Sequence, residues 1–153
     1  MRPVRNAFRL TYLVVLTVSL ALAAGCGSSK DKTAEGRTKP KGRILENGLP
    51  VKVDTSKLPP GDPGLQVTFI KIGGVDAGEE TDAQITDAGT GTFELFGADG
   101  KGIPPGKYRV AVVLAPVGSA DALKGKYSRD NSKIEVEVKE GEDLVIDLAS
   151  YKK

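Results

Sequence analysis

The sequence predicts an all-β fold, a single two-sheet β-sandwich of about seven short, mostly antiparallel strands. Three observations carry that prediction. Apolar residues recur at every second position in several short segments, the period of a strand with one buried face. Nineteen Gly and nine Pro punctuate those segments, as tight turns require. Beyond the N-terminal apolar run, no segment reads as a convincing helix. A closed barrel is the architectural alternative. About 110 residues are enough to bury a core without disulfides.

The chain opens with Arg2, Arg5 and Arg9, followed by an uncharged run from Leu10 to Ala24. That run is shorter than the roughly 20 residues a membrane-spanning helix needs. It ends in Leu22-Ala23-Ala24-Gly25-Cys26, which resembles the lipobox of bacterial lipoproteins. The resemblance implies cleavage between Gly25 and Cys26, diacylglycerol on the Cys26 thiol, and acylation of the new amine. The match departs slightly, since Leu is commonest where Ala23 stands. An ordinary secretory signal and an uncleaved anchor are the alternatives. Two or three acyl chains hold a protein on a membrane durably, at roughly 0.8 kcal/mol per buried CH₂. The expected organisation is therefore a signal peptide over 1–25, a flexible tether over 26–41 and a β-sandwich over 42–150.

Residues 27–41 have almost no apolar content, so ordering them would not be offset by burial. As a random chain they would reach roughly 20 Å. Their basic excess would also suit anionic head groups. By resemblance to lipoprotein sorting in two-membrane bacteria, Gly27 after the lipidated Cys favours the outer membrane. The expected location is thus the cell envelope, with the membrane as a partner through Cys26.

Gly42–Glu46 reads as the first strand, and Asn47-Gly48 is a strong turn signal. Leu49–Val53 could continue beyond it, before the proline-rich loop Leu58–Gly64, which suits neither helix nor central strand. Leu65–Lys71 alternates Leu65, Val67 and Phe69 on one side. Gly73–Asp82 reads as a polar loop, and Ala83–Thr86 with Thr92–Phe96 as a hairpin about Asp87–Gly91. Gly106–Leu114 is the strongest strand, fenced by Pro104-Pro105 and Pro116, with Tyr108, Val110, Val112 and Leu114 on one face. Residues 116–132 read as irregular, with one helical turn at 121–124. Ile134–Lys139 and Leu144–Leu148 alternate cleanly about Glu140-Gly141-Glu142 and read as a terminal hairpin with one packed and one wet face.

Taken in order, Gly42-Arg43-Ile44, Leu65–Phe69, Thr86–Leu95, Ile103–Val110 and Lys126-Tyr127-Ser128 resemble the transthyretin-like, or carboxypeptidase regulatory-like, β-sandwich domains. More narrowly they are similar to small bacterial lipoproteins built on that domain. The pattern runs G-x-V, V-x-F, T-D-x-x-G-x-F and P-P-G-x-Y-x-V. Here the segment around 54–64 is longer, and Thr86–Gly91 carries two extra residues. The resemblance implies the fold and says nothing of a ligand.

Composition removes several functions. The chain has no His, which excludes Ser-His-Asp and Cys-His catalysis and His-ligated metals. A single Cys leaves no intramolecular disulfide. Charge is unevenly placed: 26–43 carries about +4, and the remainder of the chain beyond it about −5. An acidic domain is a poor nucleic-acid binder.

Candidate sites have plain structural readings. The acidic loop Asp76, Glu79, Glu80 and Asp82 matches no calcium-loop spacing. Asp87 and Asp99 sit beside glycines, where Asp serves turns. Glu135 and Glu137 lie on the wet side of a strand rather than as a glycosidase pair. Tyr108 reads as core. Tyr127 remains as a residue that could stack on a ligand, with Phe96 the other available aromatic. Ser28 and Ser29 have no base near them. The expectation is a non-enzyme without metal or cofactor, an envelope structural or interaction module working with another envelope protein by edge-strand addition. A carbohydrate- or small-ligand-binding module is the alternative.

Overall fold

The computed structural model describes residues 36–54, 56, 58–115 and 119–151. The expected signal segment, Gly25, Cys26, Ser28, Ser29 and the expected tether up to residue 35 lie outside them.

Among the described residues, nine strands form two sheets packed face to face, a β-sandwich. In chain order they are β1 (Lys41–Glu46), β2 (Leu49–Pro50), β3 (Leu65–Lys71), β4 (Glu80–Asp82), β5 (Gln84–Asp87), β6 (Thr92–Glu94), β7 (Gly106–Leu114), β8 (Ile134–Val138) and β9 (Leu144–Asp147). A 3-10 turn, Leu148–Tyr151, closes the described chain. One sheet runs β4-β3-β7-β8, antiparallel throughout. The other runs β2-β1-β6-β5, with β9 added parallel to β1.

β3 and β7 form the longest ladder, from Leu65 opposite Leu114 to Lys71 opposite Tyr108. Their alternation sends Leu65, Val67, Phe69, Tyr108, Val110 and Val112 inward, where all are buried. Ile44, Phe93, Leu144 and Ile146 meet them from the opposite sheet. Phe69 and Phe93 pack tilted across the interface with centroids 5.7 Å apart.

Three expectations are corrected. The last two strands are not a hairpin: β8 pairs with β7, while β9 crosses to the other sheet and lies parallel to β1. The polar loop after β3 contains a short strand, β4, which pairs Asp82 with Thr68. The packed chain also begins earlier than residue 42. Thr38 is buried and exchanges backbone hydrogen bonds of 2.9 and 2.8 Å with Ile103, so the expected tether loses its last few residues to the fold.

Candidate docking groove

A groove of about 1090 Å³ lies at the Leu65 end of the sandwich. Its floor includes Thr68, Ala111 and Val113 on the outer face of the β3–β7 ladder. One wall is the Pro59–Pro63 segment, and the other is Ala83, Gln84 and Ile85 where the chain passes from β4 to β5. Small side chains leave the space: Ala83, Ala88, Ala111 and Gly61 all line it.

Local chemistry explains each wall. Prolines set φ and withhold N–H donors, so 59–63 arches away from the sheet instead of joining it. Asp62 accepts the Gly64 N–H at 2.7 Å, and the Asp62 N–H reaches the Pro59 carbonyl at 3.1 Å, which closes the arch. Ala83 donates to the Val67 carbonyl at 2.8 Å before the chain leaves β3. β5 then ends its sheet, pairing with β6 alone, and Gln84, Thr86 and Asp87 are exposed. An exposed sheet edge therefore runs beside the groove.

Three of the groove's polar side chains, Thr68, Asp82 and Arg129, are engaged in pairings. The Thr68 hydroxyl donates to Asp82 at 2.6 Å, and Arg129 pairs with Glu80 at 2.6 Å. Farther along the same face, Arg109 lies in register between Ile70 and Glu135. Its Nε is buried without a hydrogen-bond partner.

The sequence-level candidates fall elsewhere. Tyr127, considered for ligand stacking, is a core residue at 3% exposure. Its hydroxyl donates to the Leu148 carbonyl at 2.7 Å, so its ring is not available to a ligand. Phe96 is half-buried, with the Lys39 ammonium 5.6 Å from its ring centre, and it does not line the groove. Among the described residues, no aromatic lines the groove. Tyr108 is buried, and its hydroxyl donates to the Pro104 carbonyl at 2.7 Å. Burial, with the negative charges of Glu79 and Asp76, pushes its phenol up to about 12.

Asp87 accepts the Gly89 N–H at 2.9 Å and Asp99 the Lys101 N–H at 3.1 Å, both within turns. Glu135 and Glu137 are exposed on β8. Asp76, Glu79 and Glu80 are exposed, Glu80 is paired with Arg129, and no group of three or more acidic, His or Cys residues is arranged for a metal among the described residues. Residues 59–63, Thr68, Ala111 and Arg129 were not legible as one site, because the fold alone assembles them from four segments.

No protein family, curated protein or solved structure matches this chain.

Proposed function

We propose that this is a non-enzymatic, lipid-anchored cell-envelope protein, held through acyl chains on Cys26, whose sandwich is a protein-interaction module. An extended segment of another envelope protein would add to the edge of β5 and lay its side chains in the adjoining groove. Main-chain hydrogen bonds supply affinity in this mode, and pockets for alternate side chains supply specificity. One observation carries the reading: an exposed, four-residue edge strand beside a recess of about 1090 Å³ lined by small residues. The likeness to transthyretin-like lipoproteins supports the same picture at the level of the fold. The carbohydrate alternative loses its support with Tyr127 buried and no aromatic in the groove.

The test is site-specific photocrosslinking in cells. A photoreactive residue at Gln84 should capture one envelope protein, and Ala111→Arg, which fills the groove, should abolish that capture. The same probe at Val145, exposed on β9, should not capture it. Equal capture from both positions, or capture that survives Ala111→Arg, would remove the groove from the proposal.

A further inference from the structure

The opposite end of the sandwich carries a different feature. The loop from Ile72 to Gly78 joins β3 to β4, and Val75 at its tip is 101% exposed, with Ile72 at 38%. The loop is tightly built. Gly73, Gly74 and Gly78 take φ of 74°, 80° and 89°, and its base is closed by Gly78 N–H to Lys71 O and Lys71 N–H to Glu79 O, both 2.9 Å. Ile72 is pinned from the side by its N–H to the Lys107 carbonyl at 2.9 Å. An aliphatic side chain is thus held out into water on a hydrogen-bonded protrusion.

The position of that protrusion identifies its occupant. The chain enters the sandwich at the same end: Arg37, Lys71, Glu79 and Ile103 line one small recess of about 180 Å³, and Thr38 bridges Ile103. Gly36 lies ten positions after Cys26, a length that would span about 17 Å as a random chain. If Cys26 is acylated, the loop lies within reach of the bilayer that holds it. Charges at this end are mixed, with Arg37, Lys71 and Lys107 set against Asp76, Glu79 and Asp99. That balance suits zwitterionic head groups and shallow apolar insertion more than electrostatic adhesion.

We propose that the Ile72–Gly78 loop is a second membrane contact, with Val75 seated at the boundary between head groups and acyl chains. The inference rests on lipidation of Cys26. Its consequence is orientation: acyl chains alone leave the sandwich free to tumble on its tether, whereas a loop contact turns the groove at the Leu65 end away from the membrane, toward partners.

The chain has no Trp, so a single introduced Trp reports unambiguously. Val75→Trp and Leu49→Trp are compared in the full acylated protein on phosphatidylcholine vesicles with brominated acyl chains. Leu49 is 65% exposed at the start of β2, beside the far end of β1. The expected result is blue-shifted, quenched emission from Val75→Trp and unchanged emission from Leu49→Trp. Trp itself favours interfaces, so hydrogen exchange of the wild-type protein is the second reading, with amides of 72–78 slowed on vesicles. Protein that floats with vesicles while 72–78 exchanges as fast as in solution would overturn the loop contact and leave the anchor standing. Protein that does not float would overturn both.

Discussion

The Tyr127 hydroxyl donates a 2.7 Å hydrogen bond to the Leu148 carbonyl, joining the β7–β8 connection to the end of β9 in the opposite sheet. The Tyr127 carbonyl also accepts the Val112 N–H at 2.8 Å. One residue thus clamps the two layers at the end of β9.

Tyr127→Phe keeps the ring and leaves the Leu148 carbonyl without that partner. Leaving a buried acceptor unsatisfied costs about 1–3 kcal/mol. Urea unfolding should show stability lowered by that amount, seen as a lower midpoint with an unchanged slope. Tyr127→Ala adds a cavity and should cost more, about 3–5 kcal/mol in line with large-to-small aromatic changes. A Phe variant as stable as wild type would show that the hydrogen bond contributes nothing.

How far the sequence reveals the fold depends on the range of the interaction. β3 and β7 are legible to the residue, since their alternation is strong and proline or glycine bounds them. Glu140-Gly141-Glu142 reads equally well as a hairpin turn or as a passage between sheets. Only the distant partner decides, and β9 pairs with Gly42–Leu45, about a hundred positions earlier. β4 is three polar residues with no period to detect, and it exists because β3 offers an edge. Thr38 lies in a basic, apolar-poor stretch and is ordered by Ile103, a contact no local pattern encodes. The groove is hidden for the same reason. The expected N-terminal signal, by contrast, is read from wholly local features, and its residues lie outside the described structure.

Gly42 should tolerate no side chain. A Cβ there would stand 2.5 Å from Phe93 Cζ and 2.6 Å from the Leu144 carbonyl oxygen, so Gly42→Ala must push β9 from β1. Overpacking of this kind costs about 1–3 kcal/mol. Hydrogen exchange should quicken first in Leu144–Asp147, and a uniform change across both sheets would contradict the local wedge. Gly48→Ala is the contrast, since its Cβ would meet nothing within 4 Å. Its cost is confined to backbone strain at φ 76°, about 1 kcal/mol.

Acid should loosen the β5–β6 turn. The Thr90 hydroxyl, then the Gly89 N–H, hold the Asp87 carboxyl below its ordinary value of 3.8. A depressed carboxylate contributes stability above its unfolded pKa and loses it as pH falls through the folded one. NMR titration should place the Asp87 midpoint below 3.8, and Thr90→Val should move it upward. An unmoved midpoint would detach Thr90 from the carboxylate.

Base should act through Tyr108. Its phenol is raised to about 12 against an ordinary 10.0, by burial first and then by Glu79 and Asp76. The folded state holds that proton more tightly, so the associated stability is complete below pH 10 and disappears as pH rises toward 12. Tyr108→Phe should lower stability at neutral pH by losing the bond to Pro104, yet flatten the alkaline decline. A variant with the same alkaline slope as wild type would place the titrating group elsewhere.

The anchor is decided by Cys26. Intact mass and membrane fractionation are compared for wild type and Cys26→Ser. If wild type begins at Cys26, carries acyl mass and floats with membranes while the variant does neither, the sandwich works at a surface. Its effective partners are then its neighbours on that membrane, and the crosslinks from Gln84 identify them. If wild type is unacylated and soluble, Cys26 merely stands beside an ordinary cleavage site. The domain would then diffuse freely, the loop at Val75 would lose its membrane, and the groove would have to capture its ligand from solution.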